Sequence, residues 1–250
     1  MEEKLVSIVM PTYNCEKFIG NTIESVINQT YKNWELIIVD DCSTDNTKQL
    51  VDCYKEKDNR IKYYKFSENQ GAAMCRTKSM EIAKGNYIAF LDSDDLWKSN
   101  KLEKQIKFME ENDYSFTCTA YEQIDEKGKK LNKIINVKEK ADYNRILLDC
   151  PVGNSTVMYN VDKLGKFKVP NIRKRNDDAL WLQILKKEKY IYGMKDVLME
   201  YRIRANSISS NKLDLIKYHW KLYRDIEHLS IFRSTFHVCW WGVIKILHLK

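Results

Sequence analysis

Asp92, Asp94 and Asp95 crowd into the stretch FLDSDDLW (90–97), directly behind the apolar run Tyr87–Leu91. Each carboxylate raises the cost of ionising the others, so the cluster calls for positive charge. A hard divalent ion, Mg²⁺ or Mn²⁺, suits it, because such ions take carboxylate oxygens and keep coordination positions for phosphate oxygens. The chemistry would be Lewis-acid neutralisation of the charge that builds on a departing diphosphate. A structural reading stands beside it: Asp94 or Asp95 caps a helix beginning near Trp97.

The elements that must position these acids can be read from apolar runs. Val6–Met10, ended by Pro11, and Glu35–Val39, closed by Asp40 and Asp41, read as buried parallel-type strands. Ile19, Ile23, Val26 and Ile27 recur between them at helical spacing. Ser43, Thr44 and Asp45 offer N-caps for a second helix through Leu50, Val51 and Tyr54. A third strand is expected over Ile61–Phe66, a helix over Ala72–Ala83 stopped by Gly85, and a fourth strand over Tyr87–Leu91. This β-α-β-α order predicts an α/β fold with a doubly wound, mostly parallel sheet, helices on both faces and ligands beyond the carboxyl ends of the strands. That rim would gather Pro11, Tyr13, Asp41 and the DSDD cluster.

After residue 100 the alternation fades. A helix over Leu102–Glu111, a strand over Ser115–Tyr121, an exposed Glu-Lys-Gly-Lys turn and a strand over Ser155–Tyr159 are expected, with little legible between that turn and Pro151. NDDALWLQILKK (176–187) reads as an amphipathic helix, acidic at its start and basic at its end as the dipole prefers. The part from about Asp214 onward reads as helical, and its last helix carries Phe236, Trp240, Val243, Ile244 and Leu247 on one side, with Arg233, Lys245 and Lys250 nearby. Such a helix suits a membrane interface, or packing on the protein or a second subunit.

Composition narrows the classes. Lys and Arg outnumber Asp and Glu to give a net charge of +7, but no basic block of the kind a nucleic-acid reader carries is present. Seven cysteines, widely spaced and never in a CxxC pair, suggest neither a zinc site nor a disulfide framework, and a reducing compartment fits them best. The start, MEEKLVSIVMP, does not read as a signal peptide, and no apolar run reaches the length of a membrane span. A cytoplasmic protein, peripheral at most on the inner membrane face, is expected.

VSIVMPTYNCEKFIGNTIESVINQTYKNWELIIVDDCSTDNT, followed by NQGAAMCRTKSMEIAKGNYIAFLDSDD, resembles the family 2 glycosyltransferases of GT-A fold over essentially all of the first hundred residues. The resemblance implies that residues 1–100 form the nucleotide-sugar half of one domain, 101–213 its acceptor and catalytic-base half, and 214–250 a helical extension. Tyr13 would lie against the base of a nucleotide-sugar donor, Asp41 would accept a hydrogen bond from it, and Pro11 and Arg76 would support the site. Asp92 and Asp94 would form the DxD element, with Asp94 the direct ligand of Mn²⁺ or Mg²⁺. Arg202 and Arg204, in YRIRANSISSNK, would meet the donor diphosphate; the alternative is a pair of basic residues on the outer face of an edge strand.

Transfer to a hydroxyl needs a general base. All four histidines lie at 219, 228, 237 and 248, without metal-pair spacing, so a carboxylate is considered first. RNDDALWLQIL resembles the family's acidic segment and places the base at Asp177, with Asp178 as competitor and Asn176 where the family often has Glu. The resemblance implies inverting transfer of one sugar from a nucleotide-sugar, a UDP-sugar above all, to a glycan or lipid-linked glycan of the cell surface, such as a capsule or lipopolysaccharide intermediate. A phosphohydrolase or nucleotidyltransferase using the same rim, or a non-catalytic glycan-binding subunit, remain the alternatives.

Overall fold

The computed structural model describes residues 3–204 and 212–246. β1 (Val6–Thr12), α1 (Ile19–Ile27), β2 (Trp34–Asp40), α2 (Thr47–Lys55), β3 (Ile61–Lys65), α3 (Ala72–Ile82) and β4 (Tyr87–Phe90) follow the expected alternation. Strands β1 to β4 pair in parallel in the order β3-β2-β1-β4. Every residue of β1, β2 and β4 is buried, which is why these strands are near-continuous apolar runs.

The two-residue period of a strand sends neighbours to opposite faces. Ile8, Met10, Leu36 and Ile38 join Ile19, Ile23 and Val51 in one core, whereas Val9, Ile37, Val39, Ile88 and Phe90 join Ala73, Met80, Leu180 and Trp181 in the other. Helices therefore cover both faces of the sheet. Gly85, expected to stop α3, lets the chain pass close to β1: its amide donates to Ser7 Oγ at 2.8 Å, and a Cβ would fall 2.6 Å from the Ser7 nitrogen.

Beyond β4 the structure departs from expectation. Leu96 and Trp97 form a short strand, β5, antiparallel to a distant partner, so no helix starts at Trp97 and the proposed cap has nothing to cap. The helix that follows, α4, begins at Lys101 and ends at Glu111. β6 (Phe116–Ile124) turns through residues 125–129 into β7 (Lys130–Ile135), and β8 (Lys140–Ala141) and α5 (Tyr143–Leu148) fill the section that sequence left unread. Residues 154–156 form a 3-10 turn in place of the expected strand, which is confined to β9 (Met158–Asn160).

After α6 (Val161–Leu164), α7 runs over Asn176–Ile184, covered by neighbours on nearly every side instead of amphipathic, and β10 over Ile191–Arg202. The sheet continues β4-β9-β6-β10-β5, with β9 antiparallel to both neighbours and β10 parallel to β6. α8 (Lys212–Lys221), one π-helical turn over Leu222–Ile226 and α9 (Ile231–Ile246) complete the described chain. In α9, Trp241 and Ile244 are buried while Phe236, Trp240 and Val243 are exposed, so Ile244 does not share their side. Leu247, Lys250 and His248 lie outside the described residues.

Trp181 anchors α7 to the sheet. It is fully buried, meeting Phe90 edge-on at 5.0 Å between ring centroids and Phe116 at 5.7 Å. Trp181→Ala is expected to cost about 3–5 kcal/mol of unfolding free energy, read from the urea midpoint at constant slope; a change under about 1 kcal/mol would show that α7 is not held by this residue.

Candidate active site

The carboxyl ends of β1, β2 and β4 open on one rim. The loop after β1 is fastened to the loop after β2: the Asn14 amide donates to Ser43 Oγ, Asn14 Oδ1 accepts from the Thr44 amide, and the Cys15 amide donates to Thr47 Oγ1. Asn14 and Cys42 hold left-handed φ values of 47° and 70°, backbone conformations that persist only where neighbours enforce them. Pro11 is buried within β1, while Tyr13 projects from the fastened loop, 51% exposed, with its ring available for a flat ligand.

Asp41 is buried, and its carboxylate accepts from the amides of Gln70 and Gly71 at 2.6 and 2.8 Å. These bonds shape the entry to α3, where Gly71 has φ 91°. Both oxygens already serve the protein, and a ligand N–H would have to take a remaining lone pair.

The three acids after β4 have three different environments. Asp95 is buried and structural: its oxygens accept from the Arg202 amide at 3.0 Å and from Ser155 Oγ at 2.6 Å. Burial, and then the charges of Asp94 and Asp92, push its carboxyl well above the usual range. Asp94 pairs with Arg204 Nε at 2.7 Å. Its carboxyl is also pushed up, by burial first and by Asp92 next, with Arg204 pulling against both. Asp92 Oδ1 accepts from Arg76 at 2.7 Å and from Asn154 Nδ2 at 2.9 Å.

Asn154 and Ser155 were not among the residues singled out from sequence. Ser155 Oγ receives the Asp92 amide at 3.0 Å while donating to Asp95, so one hydroxyl fixes both ends of the cluster. The signal available was the turn-forming stretch PVGNST (151–156), which reads against a strand.

Arg202 is buried at the end of β10, a strand flanked by β6 and β5. This rules out the reading of an outer face on an edge strand. Its Nε donates to the Asp94 carbonyl at 2.8 Å and its Nη1 to the carbonyls of Asp125 and Glu126 at 3.2 and 3.0 Å. Arg202 thus braces the backbone of the cluster, and Arg204 alone of the two meets an acid side chain among the described residues. Both guanidinium groups lie over the Phe18 ring, at 5.1 and 5.7 Å.

Arg76 joins this cluster to α7. One Nη donates to Asp92 and the other to Asn176 Oδ1, a hundred residues further along the chain. At the start of α7, Arg175 takes a left-handed φ of 65° and pairs with the buried Asp178. Asp177 is half-buried and has no ion pair among the described residues. The two candidate bases are thereby distinguished: Asp178 is committed to Arg175, and Asp177 is open.

The donor set suits a hard cation. Asp92 and Asp94 supply carboxylate oxygens, and Asp94 is held partly out of water next to a like charge, a cost that a cation would relieve. No cluster of three His, Cys, Asp or Glu capable of holding a metal occurs among the described residues. An ion here would complete its coordination from ligand phosphate oxygens and water, the habit of Mg²⁺.

A doubly wound sheet that opens onto paired carboxylates, tied through Arg76 to the start of α7, has the architecture of the GT-A transferases. Residues 7–170 match the model of the family described as glycosyl transferase family 2, and the chain belongs to that family. It is therefore a glycosyltransferase, which answers the hydrolase and binding-subunit alternatives. The chain is 45% identical over 231 residues to the putative teichuronic acid biosynthesis glycosyltransferase TuaG of Bacillus subtilis, covering 92% of each chain. It is 40% identical over 229 residues to the Escherichia coli UDP-Glc:alpha-D-GlcNAc-diphosphoundecaprenol beta-1,3-glucosyltransferase WfgD, covering 90% of this chain and 87% of that one. Among solved structures, S. aureus TarS 1-349 in complex with UDP-GlcNAc superposes with a TM-score of 0.70 at 20% identity, covering 94% of this chain and 70% of that one. The mannosyltransferase PcManGT from Pyrobaculum calidifontis, in complex with GDP-Man and Mn²⁺, gives 0.67 at 15% identity, covering 94% and 69%. These two likenesses concern the fold.

Arg76 is buried and makes its two contacts with a planar fork that lysine cannot reproduce. Arg76→Lys should lower unfolding free energy by about 1–3 kcal/mol in urea titration; an unchanged midpoint would mean that the bridge between Asp92 and Asn176 is not formed in solution.

Proposed function

We propose that the protein transfers one sugar, with inversion, from a UDP-sugar to a hydroxyl of a lipid-linked glycan in the synthesis of a cell-surface polysaccharide. The observation that supports this reading is the Arg76 bridge, which ties the acidic cluster to the start of α7, where Asn176 directly precedes Asp177. Donor and acceptor would meet between them. The names of TuaG and WfgD support the polysaccharide and lipid-diphosphate parts of the proposal.

In this reading Tyr13 stacks on the uracil and Asp41 orients it. Asp92 and Asp94 would hold Mn²⁺ or Mg²⁺, which would supply Lewis-acid stabilisation of the departing diphosphate. Arg204, which rests on Asp94, adds a guanidinium for the phosphate oxygens. Arg202 serves the site from behind by fixing the Asp94 and Asp125–Glu126 backbone.

Asp177 takes the proton from the acceptor hydroxyl as that oxygen attacks the anomeric carbon. The bond from that carbon to the diphosphate breaks, and its electron pair leaves with the nucleotide. One displacement gives one inversion, the outcome that the family resemblance implies. Asp178, bound to Arg175, holds the turn that presents its neighbour.

Two substitutions separate the roles. Asp177→Asn should leave the Mn²⁺-dependent thermal shift by UDP-sugars in place while lowering turnover by about 10²–10⁴. Asp94→Asn should abolish that shift. Equal loss of donor binding in both variants, or full turnover in Asp177→Asn, would overturn the assignment.

A further inference from the structure

We propose that the outward side of α9, with the adjoining exposed residues of α8, docks on an anionic phospholipid bilayer. α9 carries an exposed apolar face besides the face that it buries. Ser234, His237, Trp241 and Ile244 face the protein, where Trp241 lies 4.6 Å from the His219 ring and His237 lies 5.2 Å from the Tyr223 ring. About a third of a turn away on the helical wheel, Phe232, Phe236, Trp240 and Val243 are 89%, 56%, 37% and 40% exposed. Ile231, and Ile216 and Trp220 of α8, add further exposed apolar surface. A helix that only covered a core would be polar on its outer side; between Ile231 and Val243 the sole Lys, Arg, Asp or Glu is Arg233.

The charge beside this surface selects the occupant. Lys217, Lys221 and Arg233 are exposed, against the single exposed acid Asp225. The other acids of the hairpin are engaged: Asp214 pairs with Lys174 at 2.8 Å, and buried Glu227 with Lys186 at 2.7 Å. Aromatic residues flanked by lysine and arginine match the boundary between acyl chains and anionic headgroups. A second copy is disfavoured, since two-fold pairing of this face would gather Lys217, Lys221 and Arg233 of both molecules into one seam with Asp225 as the single exposed acid from each.

The hairpin is also tied to the segment that presents Asp177. Lys174 pairs with Asp214, and Tyr223 donates to the Leu147 carbonyl at the end of α5, which packs on α7. A bilayer on α9 would therefore stand at a fixed position relative to the base. The purpose of this arrangement rests on the lipid-linked acceptor proposed above, but its measurement does not.

The test is co-sedimentation of the full chain with phosphatidylglycerol–phosphatidylethanolamine vesicles that contain no glycolipid. Binding is expected to weaken about tenfold or more on pure phosphatidylcholine vesicles or in high salt. It should weaken by a similar factor, about tenfold or more, in the double variant Phe232→Ser, Phe236→Ser. Both side chains are solvent-facing, so the melting temperature and the UDP-induced thermal shift should be unchanged. Failure of the full chain to sediment, or equal sedimentation of the variant, overturns the docking surface. A dimer that becomes monomeric in the variant, without vesicle binding by either, assigns the face to a second copy and overturns it too. Vesicle binding without any shift by UDP would sustain this inference and count against the donor reading alone.

Discussion

The fold at the rim is organised around the neutralisation of Asp92, Asp94 and Asp95. Three carboxylates at the end of a buried strand cannot remain ionised side by side without donors or cations around them. Each solution found here comes from a different part of the chain: Arg76 from α3, Asn154 and Ser155 from the 3-10 turn, and Arg202 and Arg204 from the end of β10. The cluster is thereby the point on which the first hundred residues and the later part of the chain converge. Its charge requirement explains why β10, remote in sequence, must end where it does.

The first hundred residues were legible because their strands are buried on both faces. Val6–Thr12 and Trp34–Asp40 carry enough consecutive apolar residues to stand out, and polar residues mark where each leaves the sheet. The gathering of Pro11, Tyr13, Asp41 and the acids then followed from topology. Later elements lack such a signal. β7 is exposed along nearly its whole length and reads as a polar connection, whereas β10 is irregular between Met194 and Met199, which breaks its alternation. The pairing of Leu96–Trp97 with Glu200–Met199 spans a hundred residues, so nothing local to FLDSDDLW revealed it. The two arginines looked alike in YRIR, yet one was buried by the sheet and the other met Asp94. Only long-range contacts separate them.

The tail shows a different limit. An apolar face was legible in FHVCWWGVIKILHLK, but Trp240 and Trp241, like Val243 and Ile244, are adjacent apolar residues, and periodicity cannot say which of each pair turns inward. Neighbours decide it: His219 and Tyr223 offer rings to Trp241 and His237, fixing the rotation of the helix and leaving Phe232 and Phe236 in solvent. Ile244, on the inner arc, then separates from Val243, its immediate neighbour.

Asn176 is the residue at which this chain departs from the pattern its family resemblance suggests, and the Arg76 bridge gives that departure a physical sense. Arg76 already carries the ion pair with Asp92 and spends its other Nη on position 176. A glutamate there would place the guanidinium between two anions, each competing for the same charge. The asparagine carbonyl accepts the hydrogen bond without that competition, so the positive charge of Arg76 remains matched to Asp92. With Asp178 bound to Arg175, Asp177 is then the one carboxylate at the start of α7 that no arginine or lysine of the described chain holds. The same neutral residue that keeps the acidic cluster in balance leaves the start of α7 with a single carboxylate that no cation of the described chain pairs.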